Sequence, residues 1–312
     1  MSDSDTQSTP FADRLCRRIL ATQSVVCVGL DPRAAQLPGS FAINGNASPE
    51  ALAQAFETFC TEIIDVVADR VPIVKPQAAF FEALGPAGCV ALANVIRYAI
   101  DRDMLVILDG KRNDIGSTAA AYADAYLGRG KQSAWGSDSL TVSPYLGDDS
   151  LQPFIDACDT RDAGIFVLVK TSNPNGGFLQ DRPTDGQTVY QRVAEFVSEQ
   201  NATRKGQFGY GPIGTVVGAT YPQQLSEMRS AMPGTLILIP GFGAQGGAVD
   251  DILGGFDNNG LGAIVNSSRH IIFAHARPEF QSIGISHWQD AVAAATDLMN
   301  QQIGERIQPG RP

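Results

Sequence analysis

Asp109, Lys111, Asp114 and Thr118 fall within ten residues of one another, in the segment Leu108-Asp-Gly-Lys-Arg-Asn-Asp-Ile-Gly-Ser-Thr118. Two carboxylates, an ammonium and a hydroxyl in so short a stretch are the ingredients of a charge array. The apolar run before it, 104–108, has the length and β-branched content of a buried strand, and the Ala-rich stretch after it, 118–127, reads as a helix. While the chain stays extended, Asp109 and Lys111 leave the same face of that strand. A carboxylate and an ammonium held together at a strand's end can move a proton and steer a charged substrate. An arbitrary D-x-K is more often a loop salt bridge, so the decision falls to the rest of the chain.

Short apolar runs recur at 25–30, 71–74, 104–108, 139–142, 165–169, 213–217, 236–239 and 263–265. Helical periodicity fills most of the gaps, at 49–68, 89–101, 118–127, 151–158, 188–200 and 221–232. Parallel strands need helical crossovers, so the alternation predicts an α/β fold with a parallel sheet covered on its faces. Eight strands close a (β/α)8 TIM barrel. A doubly wound open sheet would give the same alternation. The stretch 288–299 is expected as a terminal helix packed on one barrel domain, 11–303, between a disordered tail at 1–10 and a flexible tail at 304–312. The loop 171–187, rich in Gly, Pro and Asn, is a candidate lid or a tolerated surface insertion.

Composition narrows the function. Of 312 residues, 44% are apolar and 18% charged, enough for a large core. A net charge of −10 argues against nucleic acid or an anionic membrane as partner, though not against a phosphate held locally. No apolar stretch approaches the length of a membrane span and the N-terminus lacks signal-peptide character, which predicts a cytoplasmic protein. Five cysteines (16, 27, 60, 89 and 158) are scattered without C-x-x-C spacing and read as reduced thiols. His270, His275 and His287 lack ligand spacing, so no metal is expected, and no nucleophile triad can be assembled.

Chemistry in such a barrel sits where strands end. The residues following the apolar runs are Asp31-Pro32, Lys75-Pro76-Gln77, Asp109 and Lys111, Ser143-Pro144, Lys170-Thr171-Ser172, Gly218-Ala219-Thr220, a glycine loop from Pro240, and Asn266-Ser-Ser-Arg269. Acids and cations gather on the first three strands, glycines and an arginine on the last two. Each residue alone has a bland explanation as a turn former or solvated charge; their joint placement weakens all of them together. Gly241-Phe-Gly-Ala-Gln-Gly246 matches a dinucleotide fingerprint, but lies late in the chain without the acidic partner such a site needs. A glycine loop after strand seven with Ser268-Arg269 after strand eight fits a phosphate-binding barrel better.

The pattern Asp109-x-Lys111-x-x-Asp114-x-x-x-Thr118, with Lys75, Ile239-Pro-Gly-Phe-Gly-Ala-Gln-Gly-Gly247 and Asn266-Ser-Ser-Arg269, resembles the orotidine 5'-phosphate decarboxylase family, in its longer bacterial branch. The resemblance spans about 25–274. It implies cofactor-free, metal-free decarboxylation to uridine 5'-phosphate, the last step of de novo pyrimidine nucleotide synthesis, by a homodimer. Lys111 would protonate carbon 6, Asp109 would face the substrate carboxylate, and Lys75 would bridge Asp109 and the ribose. Asp114 and Thr118 would reach into the neighbouring subunit's site. Asp31 would bind a ribose hydroxyl and Ser172 the pyrimidine edge; Pro240 and Gln245 would contact substrate, Gln245 spanning base and phosphate; Arg269 would bind the phosphate. D-x-K-x-x-D is shared with metal-dependent sugar-phosphate decarboxylases and synthases, which form the alternative reading. A non-catalytic nucleotide-phosphate binder is the third, although it could dispense with the array. Lys170 finds no role.

Overall fold

The computed structural model describes residues 9–41, 46–241 and 249–310. Eight parallel strands close into a barrel in chain order: β1 Val26–Leu30, β2 Ile73–Pro76, β3 Leu105–Arg112, β4 Ser139–Val142, β5 Gly164–Lys170, β6 Ile213–Val217, β7 Ile237–Ile239 and β8 Ala263–Ser267, with β8 pairing back on β1. Closure removes every edge, and the open-sheet alternative with it. The fold is a (β/α)8 TIM barrel.

Helices follow the expected positions. They are α2 Pro49–Val67, α3 Gly85–Asp101, α4 Gly116–Tyr126, α5 Gln152–Arg161, α6 Val189–Asn201, α7 Pro222–Ala231 and α8 Trp288–Gly304, preceded by an unforeseen α1, Phe11–Thr22. Local chemistry starts several of them. Ser48 caps α2 by accepting from Ala51 N, and Thr188 and Gln191 form a reciprocal capping box on α6. Between β7 and β8 the described crossover is only two 3-10 turns, Val249–Asp251 and Leu253–Gly255.

α1 plugs the barrel at the end opposite the strand termini. Phe11 packs edge-on to Phe166 with ring centroids 6.1 Å apart, and it covers Gly164, where a Cβ would collide with its ring. On the same face Arg14 and Arg129 both pair with Asp138, which is fully buried and also accepts from Val106 N at 2.9 Å. Residues 1–8 lie outside the described residues; within the stretch 304–312, expected as a flexible tail, Ile307 is buried and Gly310 N donates to Asn259 O at 2.9 Å. The burial of Ile307 stabilises what the polar composition around it did not reveal.

The segment 171–187 is no structureless loop. It holds a single helical turn, Gly177–Gln180, and a two-stranded ribbon pairing Pro183 with Thr188 and Thr184 with Gln187. Asp185 and Gly186 both take positive φ, 51° and 85°, at its two-residue turn.

Candidate active site

The described charged groups converge where β2, β3 and β4 end. Asp109 is the hub, 6% exposed, and four side chains donate to it. Lys75 Nζ reaches Oδ2 at 2.6 Å and Gln77 Nε2 reaches the same oxygen at 3.0 Å. Lys111 Nζ reaches Oδ1 at 2.6 Å and Thr141 Oγ1 reaches it at 2.9 Å. Burial opposes the charged form of Asp109, but Lys75 and Lys111 outweigh it and hold the carboxyl well below the usual range. Burial likewise works against a charged Lys75, and Asp109, with Asp31 behind it, reverses the sign and holds its ammonium above the ordinary lysine value. The two lysines differ in one respect: Lys75 is buried, whereas the Lys111 side chain is 49% exposed and open to the barrel mouth.

Asp109 and Lys111 do share a face, but not because the chain stays extended. β3 slips register against β4: Leu108 pairs with Leu140 and Arg112 with Val142, so β3 carries two extra residues between them. Lys111 sits in that bulge with φ 45°, a left-handed conformation uncommon for a side chain bearing a Cβ. Its N–H donates to Thr141 Oγ1 at 2.9 Å, so one hydroxyl serves both the Lys111 backbone and the Asp109 carboxylate.

A cavity of about 250 Å³ opens above this cluster, lined by Lys75, Asp109, Lys111, Thr141, Ser172 and Pro240 among others. A second, of about 460 Å³, adjoins it through Asp109 and Lys111 and reaches Asp31 and Gln77. Farther round, β1 and β8 approach closely: a Cβ on Gly29 would stand 2.7 Å from Ser268 Cβ. Asp31 Oδ1, Asn266 Oδ1 and Ser268 Oγ are buried there with no hydrogen-bond partner among the described residues. Arg269 is exposed and opens a one-turn helix, Arg269–Ile272.

Of the ten residues expected in the site, Lys75, Asp109, Lys111, Ser172 and Pro240 line one cavity, and Asp31 lines its neighbour. Asp114 does not join the array; its Oδ1 accepts from Ile115 N at 2.8 Å. Thr118 is exposed on α4. Gln245 lies outside the described residues. Sequence reasoning named Gln77 at a strand end without giving it a role, and passed over Thr141. Thr141 had a signal, a polar residue alternating with Leu140 and Val142 inside an apolar strand. Burial pushes the Cys27 thiol beneath the cluster up to about 12, so it is an inert filler. Among the described residues no three His, Cys, Asp or Glu side chains converge as metal ligands, and no helix is long and apolar enough to cross a membrane.

Comparison with known proteins bears directly on this arrangement. The family model for orotidine 5'-phosphate decarboxylase / HUMPS matches residues 24–280. The orotidine 5'-phosphate decarboxylase of Rhodopirellula baltica is 61% identical over 297 residues, covering 94% of this chain and 98% of the relative. That of Deinococcus radiodurans is 37% identical over 295 residues, with 94% and 98% covered. Among solved structures, Leishmania donovani OMP decarboxylase superposes with a TM-score of 0.73 at 32% identity, covering 95% of this chain and 98% of that one.

Proposed function

This chain belongs to the orotidine 5'-phosphate decarboxylase / HUMPS family, and from that premise we propose how its own residues convert orotidine 5'-phosphate to uridine 5'-phosphate and carbon dioxide. The observation that carries the reading is Asp109 held as a carboxylate between two ammonium groups at the floor of the cavity. In the reaction the bond from carbon 6 to the carboxylate breaks and its electron pair stays on carbon 6. That carbanion lies in the ring plane, where the π system cannot delocalise it, so its stabilisation is electrostatic. Lys111 supplies both the charge and the proton: its Nζ–H bond breaks as the new C–H bond forms, and solvent at the open mouth returns a proton to the amine. Asp109 beside the substrate carboxylate disfavours the bound ground state and is relieved as carbon dioxide leaves. Lys75 keeps Asp109 anionic and is available to the ribose.

The remaining assignments follow the cavity outward. Ser172 and Pro240 take the base end. Asp31, with a buried oxygen free of described partners, takes a ribose hydroxyl, and Arg269 with the loop containing Gln245 takes the phosphate. Asp114 and Thr118, which do not reach the array of their own subunit, serve a second copy of the chain. Ile115, Tyr145 and Leu146 are 58%, 72% and 45% exposed on the loops after β3 and β4, which supports this face as the homodimer contact. A cytoplasmic setting fits the five unpaired thiols.

The test is loss of orotidine 5'-phosphate absorbance on adding purified protein in excess chelator. Conversion to uridine 5'-phosphate is the expected result, and Lys111→Ala should reduce turnover by several orders of magnitude while the protein stays folded. No conversion by folded protein would transfer the assignment to sugar phosphates, and conversion only with a divalent metal would overturn the metal-free mechanism.

A further inference from the structure

Lys170, the last residue of β5, has no part in the array, yet it is only 3% exposed. Strand alternation from Leu168, which lines the cavity, would send Lys170 into the same mouth. It does not go there. Leu168 pairs with Val216 and Lys170 with the very next residue of β6, Val217, so one extra residue bulges out of β5 and re-aims the side chain. Its ammonium pairs with Asp181 and lies 5.3 Å from the ring centroid of Tyr190 and 5.9 Å from that of Tyr221. The carboxylate and the two π faces compensate for taking the charge out of water.

One residue along, a second crosslink spans the same gap. Thr171 N donates to Gln180 Oε1 at 3.0 Å, and Gln180 Nε2 donates back to Thr171 Oγ1 at 2.7 Å. The segment 170–181 is therefore closed at its neck by two adjacent ties. Inside the neck, Thr171, Ser172 and Asn173 form the cavity wall facing Lys111 and Asp109.

We propose that the Lys170–Asp181 ion pair is a clasp that holds Ser172 and Asn173 against the substrate's pyrimidine ring, making Lys170 and Asp181 positioning residues for base recognition. The inference rests on the proposed reaction and deepens it, since it divides substrate recognition into a clasped base end and an independent phosphate end. Without the clasp the loop spends less time in the binding geometry, and apparent affinity falls with the competent fraction.

The experiment compares binding of uridine 5'-phosphate and ribose 5-phosphate to the full chain by calorimetry, with KM and kcat measured alongside. The two ligands share ribose and phosphate and differ in the base. Lys170→Met and Asp181→Asn should each weaken uridine 5'-phosphate by about tenfold, a competent fraction cut to roughly a tenth, while ribose 5-phosphate binding holds. KM should rise more than kcat falls. The double variant should lose no more than either single one, because the pair acts as a unit. Asp181 is half exposed, so Asp181→Asn decides the matter even where Lys170→Met folds poorly. Parallel weakening of both ligands, or unchanged discrimination in folded Asp181→Asn, would overturn the clasp. Wild-type protein that binds both ligands equally would overturn the proposed function and the clasp together; wild-type discrimination with unaltered variants removes the clasp alone.

Discussion

Thr141→Val is the sharpest probe of how the proton donor is held. Thr141 is 1% exposed in β4; its hydroxyl donates to Asp109 Oδ1 and accepts from Lys111 N, each at 2.9 Å. Valine keeps the shape but offers neither a proton nor a lone pair. An unsatisfied buried N–H costs about 1–3 kcal/mol, and a hydrogen bond to a charged group is worth about 1.5–3 kcal/mol. Lys111 N is only part-buried and Asp109 keeps three other donors, so the low end applies, roughly 2 kcal/mol of stability. The catalytic effect is larger than the structural one. Lys111 sits at φ 45°, a conformation held by its surroundings, and Thr141 Oγ1 is what its N–H holds on to. A shift of about 1 Å in a reacting group costs on the order of 100-fold in rate. We therefore expect kcat to fall by about two orders of magnitude with a much smaller change in KM, and Thr141→Ser to retain most of the activity. The assay is the absorbance decrease of orotidine 5'-phosphate under saturating substrate, with urea melts run in parallel. A folded Thr141→Val protein with wild-type kcat would refute the argument.

Three further outcomes follow from the same geometry. Asp109→Asn should cost about 3–5 kcal/mol at neutral pH by stranding Lys75. Because the folded Asp109 pKa is depressed, its contribution is complete above the unfolded value of about 4 and fades as pH falls below it; urea midpoints of both proteins give the gap, and a gap already closing between pH 7 and 5 would count against the assigned charge state. Mixing Asp109→Ala with Asp114→Ala subunits should restore part of the activity, since one hybrid site receives both intact residues; no recovery after proven subunit exchange rules out a shared site. Gly164→Ala should destabilise by about 1–3 kcal/mol through collision with Phe11, with activity per folded molecule unchanged, because Gly164 lies at the end of the barrel remote from the cavity; a change in kcat would show the plug to be coupled to the site.

What the sequence determined by itself is what short covalent spacing determines. Asp109 and Lys111, two residues apart after an apolar run, had to lie near each other at a strand's end, and eight such runs with helical crossovers had few ways to pack other than a closed barrel. What it could not determine depends on partners distant in the chain. Lys111 reaches Asp109 through a bulge and a left-handed backbone stabilised by Thr141, 30 residues away, and a lone threonine in a strand announces none of this. Lys170 should by alternation have entered the mouth, yet one extra residue in β5 turned it toward Asp181 and two tyrosines. Asp138 is neutralised by Arg14, which a helix at the start of the chain brings back across 124 residues. Bulges, left-handed residues and buried ion pairs are stabilised only once the barrel has closed around them, so their causes lie in tertiary packing and leave no local pattern in the chain.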